Sequence, residues 1–252
     1  MFRRHPWATL FGLIGTAVVL ALPARASDSH AIVTLVDRVE TAYHGRDNDG
    51  LADARRQLLQ LATDSPAGSR AGYYAAHARF RQALGSSTTD EATAKGFLDD
   101  CITELTGYVA ANPADAEARA LLGSCYGMST THYPLGLVAR GMEARKQLNI
   151  ARDLAPANPW VLMQDGLVDF ATPRMFGGSR TAAIAKLERA ARLFAEAEAG
   201  GSSLAGWALV ETWQQLALMY AATGQAEAAA DANQRAASLP RPTPRLRQAS
   251  LQ

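Results

Sequence analysis

Cysteine is nearly absent from this chain, with two residues in 252, Cys101 and Cys125. Two cysteines make no disulfide framework, and a chain of this length buries enough apolar surface to fold without one. Whether they pair with each other is left open, because spacing alone does not fix the geometry of a bridge. Charge of one sign is also missing, since 25 basic residues face 24 acidic ones. That balance removes the attraction on which nucleic-acid binding depends, so no nucleic-acid partner is expected. After residue 22 no stretch approaches 18 consecutive apolar residues, so no later membrane span is expected. Alternating β-branched residues are scarce, which argues against strands. The signatures of chemistry are lacking too. There is no Gly-x-Ser-x-Gly elbow, no Gly-Lys-Ser/Thr phosphate loop, no dinucleotide fingerprint and no metal-ligand spacing among His30, His44, His77 and His132. No enzyme, metal site or cofactor is expected.

The N-terminus is unlike the rest. A short basic start with Arg3 and Arg4 leads into the uncharged run Ala8 to Leu22, followed by Pro23-Ala-Arg-Ala26. The run reaches only about 22 Å, too short for a bilayer core. Ala24 and Ala26 supply the small-x-small pattern of a signal-peptidase site, so residues 1–26 read as a cleaved signal and the mature chain as periplasmic or secreted. No cysteine follows the site to carry a lipid anchor. Losing Arg3, Arg4 and Arg25 leaves 22 basic residues against 24 acidic. At the other end, Arg241, Arg245 and Arg247 among prolines mark 241–252 as a disordered basic tail, which leaves 27–240 as one folded domain.

What the chain has in abundance is Ala, Leu, Arg, Glu and Gln, all good helix formers. Breakers stand at Gly45 to Gly50, Ser65 to Gly68, Gly85 to Thr89, Asn112-Pro113, Pro134, Pro156 to Pro159, Pro173 to Gly178, Gly200-Gly201, Gly224 and Pro240, so the pattern predicts ten helices. They repeat. Trp213-x-x-Leu216-Ala217-x-x-Tyr220 is followed by Ala229, a polar Asn233, Ala236 and Pro240. An earlier unit starts at Asn112-Pro113, with Leu122-Gly123-x-x-Tyr126, then an insertion Met128 to Gly136, then Ala144, Leu148, Ala151 and Pro156. Between them lies Pro159-Trp160, Gly166, Ala183, Leu187 and Ala190. Residues 30–66, with Ala54, Leu58, Leu61 and Pro66, and residues 69–113, with Cys101 in a small-residue slot, are weaker copies.

These units resemble the tetratricopeptide repeat, a 34-residue helix pair, over about residues 30–240. Small residues at its positions 8, 20 and 27 let paired helices approach closely, and larger ones at 4, 7, 11 and 24 fill the remaining space. The resemblance implies an all-α fold, an α-solenoid of about five antiparallel helix pairs in which stacking is obligatory. It also implies a scaffold whose concave face receives a protein or peptide partner. Positions 2, 5, 9 and 12 of each first helix line that face in the family. Here they are Glu117, Ala120, Ser124 and Gly127; Trp160, Met163, Leu167 and Phe170; and Glu211, Gln214, Leu218 and Ala221. The middle set is wholly apolar with polar flanks, the composition of a binding hot spot. Its alternative is that Trp160 and Phe170 pack against the preceding pair or the Pro173 to Gly178 turn.

The segment Thr172 to Arg180, with Gly177-Gly178, is similar to exported bacterial repeat proteins and to the tetratricopeptide-type soluble subunits of periplasmic binding-protein (TRAP) transporters. The second likeness implies an alternative function, an accessory subunit holding a small apolar ligand in a pore or cleft. Those subunits are usually lipid-anchored, and this chain lacks the anchoring cysteine. Ser179 reads as a helix N-cap. Asp165 and Asp169 share a helix face in slots that should point to the core, so a structural ion pair with Arg174 or Arg180, or exposure to water, is expected. His132-Tyr133, in the insertion, is the fallback contact site.

Overall fold

The computed structural model describes residues 23–64, 70–86 and 90–240. The tail 241–252 and most of the leader 1–26 lie outside these, as do the turn at Ser65 to Gly68 and much of Gly85 to Thr89. Among the described residues there are ten α-helices and no strand. They are α1 (Pro23–Gly45), α2 (Asn48–Asp64), α3 (Ala71–Ser86), α4 (Glu91–Ala111), α5 (Ala116–Ser129), α6 (Leu137–Leu154), α7 (Pro159–Ala171), α8 (Arg180–Ala199), α9 (Ser203–Ala222) and α10 (Ala226–Ser238). Consecutive helices pack as five antiparallel pairs, and each pair stacks on the next. The fold is the all-α solenoid that the repeats imply.

Local sequence sets the helix starts. Asp90, Asp115, Asn158, Ser179 and Ser202 accept bonds from backbone N–H groups of the turns they begin, at 2.8–3.3 Å. Pro159 occupies the first turn of α7, where its missing N–H costs nothing. The Gly-Gly turn has a separate reason for each glycine. Gly177 is left-handed at φ 87°, and a Cβ on Gly178 would stand 1.8 Å from the carbonyl oxygen of Thr172.

The repeat alignment can be tested by contact. A Cβ on Gly123 would come within 2.7 Å of Leu148 Cγ and 3.0 Å of the Ala144 carbonyl oxygen. On Gly166 it would meet Leu187 Cδ1 at 2.3 Å and the Ala183 carbonyl oxygen at 3.0 Å. In both units position 8 therefore touches positions 20 and 24 of its own partner helix. Such close approach gains dispersion contacts along the whole crossing. The last unit departs from the pattern at its end. Ala229 and Ala232 are buried, Ala236 is half-buried and Asn233 faces water, because among the described residues no further helix covers the outer side of α10.

Cys101 and Cys125 are disulfide-bonded, joining α4 to α5 across the boundary between the second and third pairs. The small slot of Cys101 is thus a cross-link as well as a packing position. The insertion Met128 to Gly136 is compact, built from the end of α5 and two short 3-10 turns, Thr130–His132 and Pro134–Gly136.

Candidate functional site

The first helices of all five pairs converge on one narrow space. Val36 and Glu40 of α1, Tyr73, Tyr74 and His77 of α3, Glu117 of α5, Trp160 of α7 and Leu204 of α9 surround a cavity of about 10 Å³, room for about one water. The superhelix curls until its first two pairs meet its last.

Buried charge makes that meeting. Arg81 on α3 donates to both carboxylate oxygens of Glu211 on α9, at 2.8 and 2.7 Å. Its Nε donates to Glu40 of α1 at 3.1 Å, and His77 Nε2 lies 2.7 Å from the same carboxylate. The guanidinium also lies over the ring of Tyr43, 4.6 Å from its centroid. Burial alone raises the pKa of Glu40, but Arg81 and His77 outweigh it and hold the carboxyl down at about 2. At the rim of this clasp Ser203 donates to Asp37 at 3.2 Å, and His44 stacks on Trp207. Burial pushes the Asp37 carboxyl above its usual value.

A second ionic cluster lies between α6, α7 and α8. Asp165, fully buried, faces Lys186 at 2.6 Å, Arg152 at 3.3 Å and Arg145 at 3.9 Å. Asp169 pairs with Arg145 and Lys186. Burial raises the pKa of Asp169, and bonds from Lys186 and Arg145 bring it below the usual range. The expected partners Arg174 and Arg180 are not involved, and neither aspartate faces water. Both arginines are exposed in and just after the following turn, while Arg145 and Arg152 on α6 and Lys186 on α8 flank the aspartates from either side.

The residues assigned by repeat position divide into four groups. Glu117 and Trp160 line the inner cavity, Glu117 pairing with Arg70 and accepting from Asn158 at 2.8 Å. Ser124 and Glu211 are buried and spent on internal partners, Ser124 donating to Gln164 at 2.6 Å and Glu211 accepting from Arg81. Met163 is buried, its sulfur 3.5 Å from the Thr212 hydroxyl of α9. Half-buried Trp160, Leu167 and Phe170 pack on the same core, with Trp160 edge-on to Phe194. Gln214, Leu218 and Ala221 are exposed. The apolar hot-spot set is therefore brought together, but largely against α8 and α9.

The largest exposed apolar side chains lie elsewhere. Leu135 is fully exposed, and Val138 and Met142 are 59% and 68% exposed on the same stripe at the start of α6. Met175 and Phe176, 82% and 55% exposed, occupy the turn between α7 and α8. Both turns link the first helix of a pair to its second, so they lie on the same edge of the stack. The insertion is fixed in place. The Tyr133 ring lies between Lys95 and Arg140, its hydroxyl donates to Asp99, and His132 faces Glu91 at 3.3 Å. Apolar residues beside Pro134 and Pro173 were the signal in the sequence, and the repeat pattern drew attention away from them.

Fold and site together define a class: an all-α helical-repeat protein whose superhelix closes on itself through buried charge and whose turns carry an apolar edge. No family model matches the chain, and no curated protein matches it. Among solved structures it is similar to a chain titled "Crystal structure of MamA protein", at 18% identity over 82% of this chain and 91% of that one, with a TM-score of 0.37. A likeness of that degree adds nothing to the fold read from the helices themselves.

Proposed function

We propose that this chain is a tetratricopeptide-like scaffold, exported to the periplasm or beyond, that engages a protein partner and carries out no reaction. The observation that carries this reading is the exposed apolar side chains of Leu135, of Val138 and Met142 at the start of α6, and of Met175 and Phe176 in the α7–α8 turn. Contiguous exposed apolar side chains mark interaction surfaces, and unbranched methionines adapt to a partner's shape. The buried carboxylates of Glu40, Glu211, Asp165 and Asp169 support a binding role over a catalytic one, because each is spent on internal cations. The close approach at Gly123 and Gly166 supports the repeat assignment. The test uses the full chain as bait in envelope extract. The double substitution Leu135→Ser and Met142→Ser should lose a discrete partner while leaving the melting temperature unchanged.

A second reading keeps the partner on the inner face, and the aromatic lining by Tyr73, Tyr74 and Trp160 favours it. It requires α1 and α3 to part from α9. Under it, Trp160→Ala removes capture, and the edge substitutions have no effect. The same extract experiment therefore separates the two. Equal capture by wild type and all variants would remove both.

A further inference from the structure

Away from the edge and the clasp, the outer helices of the last two pairs, α8 and α10, stand apart and leave a cleft of about 300 Å³ floored by α9. Small side chains are the cause. Ala191 and Ala195 on the α8 side, with the alanine-rich α10 opposite, are too short to meet across the gap. The floor and walls are apolar, from Ala191, Leu209, Trp213 and Leu239. Leu209 is buried and Trp213 half-buried, so the indole offers one face to the cleft's contents. Two cations stand on the walls, Arg192 from α8 and Arg235 from α10. Arg192 is exposed, and among the described residues it makes no ion pair. Arg235 stacks on the Trp213 ring at 4.9 Å and bonds Asp231 at 2.8 Å, an exposed pair of little strength.

An apolar trough of this volume is at the small end of ligand sites, and its few polar groups fix what it accepts. Guanidinium groups select carboxylate over neutral polar groups because they bind it through charge-assisted, paired hydrogen bonds. We propose that this cleft binds a small amphiphilic carboxylate, an apolar chain of medium length or a single ring ending in a carboxyl group. The apolar part lies on Leu209 and Trp213, and the carboxylate lies between Arg192 and Arg235. The chain's own residues 241–252 begin beside the cleft, but they carry Arg241, Arg245 and Arg247 and no acidic residue. Their positive charge has the same sign as that of Arg192 and Arg235 on the walls, which makes an external anion the better occupant.

The test is a titration of the full chain with decanoate, followed by calorimetry and by tryptophan fluorescence, with 1-decanol as the uncharged control. Decanoate should bind below about 1 mM and more tightly than decanol. Trp213→Phe should abolish most of the fluorescence change while calorimetric binding persists, which locates the site. The double substitution Arg192→Gln and Arg235→Gln should weaken decanoate by about tenfold or more and leave decanol and the melting temperature unaltered, since both arginines are exposed. Absence of decanoate binding, equal binding of decanol, or an unchanged affinity in the double variant would each overturn the assignment. So would a large gain in affinity on Leu246→Ser with Leu251→Ser, which would make the chain's own end the occupant.

Discussion

Arg81 stands between Glu40 and Glu211, two carboxylates on helices far apart in sequence, whereas Asp165 and Asp169 share Arg145, Arg152 and Lys186 from neighbouring helices. The first cluster has one permanent cation for two anions and is sealed, its Arg81 and Glu40 side chains each 4% exposed. The second has three cations for two anions and reaches water through Arg145 and Arg152, at 27% and 37%. One has no spare partner, and the other has one to spare. The clasp therefore resists change poorly but reports whether the superhelix is closed. The local cluster tolerates change and only ties one pair to the next.

The largest expected effect follows from that asymmetry. Arg81→Met leaves Glu40 and Glu211 buried without their shared partner and should cost about 3–5 kcal/mol, the usual cost of breaking a buried pair from one side. Chemical denaturation measures it. Limited proteolysis should also show α1 and α3 released from α9 before the other pairs unfold. A loss below about 1 kcal/mol would mean that the clasp is not closed in solution.

Acid probes the same cluster without mutation. The folded pKa of Glu40, about 2, lies below its ordinary 4.5. A lowered carboxylate stabilises the fold above the unfolded pKa and loses that contribution as pH falls through the folded one. About 3 kcal/mol should therefore be lost between pH 4.5 and pH 2. Glu40→Gln should remove most of that pH dependence.

How much of this the sequence disclosed follows the same division. Helix count, pairing and the contacts of Gly123 and Gly166 were legible because they rest on spacing within about 30 residues, where repeat position implies contact. Asp165 and Asp169 were legible as buried groups needing partners. Their partners were misjudged because Arg174 and Arg180 are nearest in sequence, while Arg145, Arg152 and Lys186 are nearest across the helix crossings. Arg81 and Glu211 are separated by 130 residues, and nothing local in either helix announces the other. That is also why Glu211 and Ser124 read as free concave-face residues and Met163 as an exposed anchor. The repeat pattern gives the face of each helix, but how tightly five faces curl together depends on contacts that no single repeat contains.

Redundancy in the second cluster predicts a smaller response. Lys186→Met removes the ammonium but leaves Asp165 facing Arg152 and Arg145, and Asp169 bonded to Arg145. The cost should be about 2–3 kcal/mol, because two charge-assisted bonds are lost but neither carboxylate is left without a cation. A loss as large as that of Arg81→Met would erase the distinction between the clusters.

The smallest effect should carry the opposite sign. Asp37 lies on α1 three residues before Glu40 and is also buried, but among the described residues it makes no ion pair. Burial, with the nearby Glu40 charge, raises its pKa, while Ser203 and Trp207 only partly compensate. A raised carboxylate favours the protonated form in the folded state. Its ionisation therefore costs stability once pH exceeds the folded value, and the cost disappears below the unfolded value of 3.8. Asp37→Asn keeps an oxygen for Ser203 and removes the charge. It should stabilise the protein at neutral pH by at most about 1 kcal/mol, the scale of one poorly satisfied buried polar group, and should change nothing at pH 3. The measurement is the difference in denaturation midpoint at the two pH values. Destabilisation at pH 7 would show that the ionised Asp37 is itself a working member of the clasp, held by Ser203 and Trp207 more strongly than burial penalises it. The contrast between one cation and none on adjacent turns of α1 would then have to be abandoned.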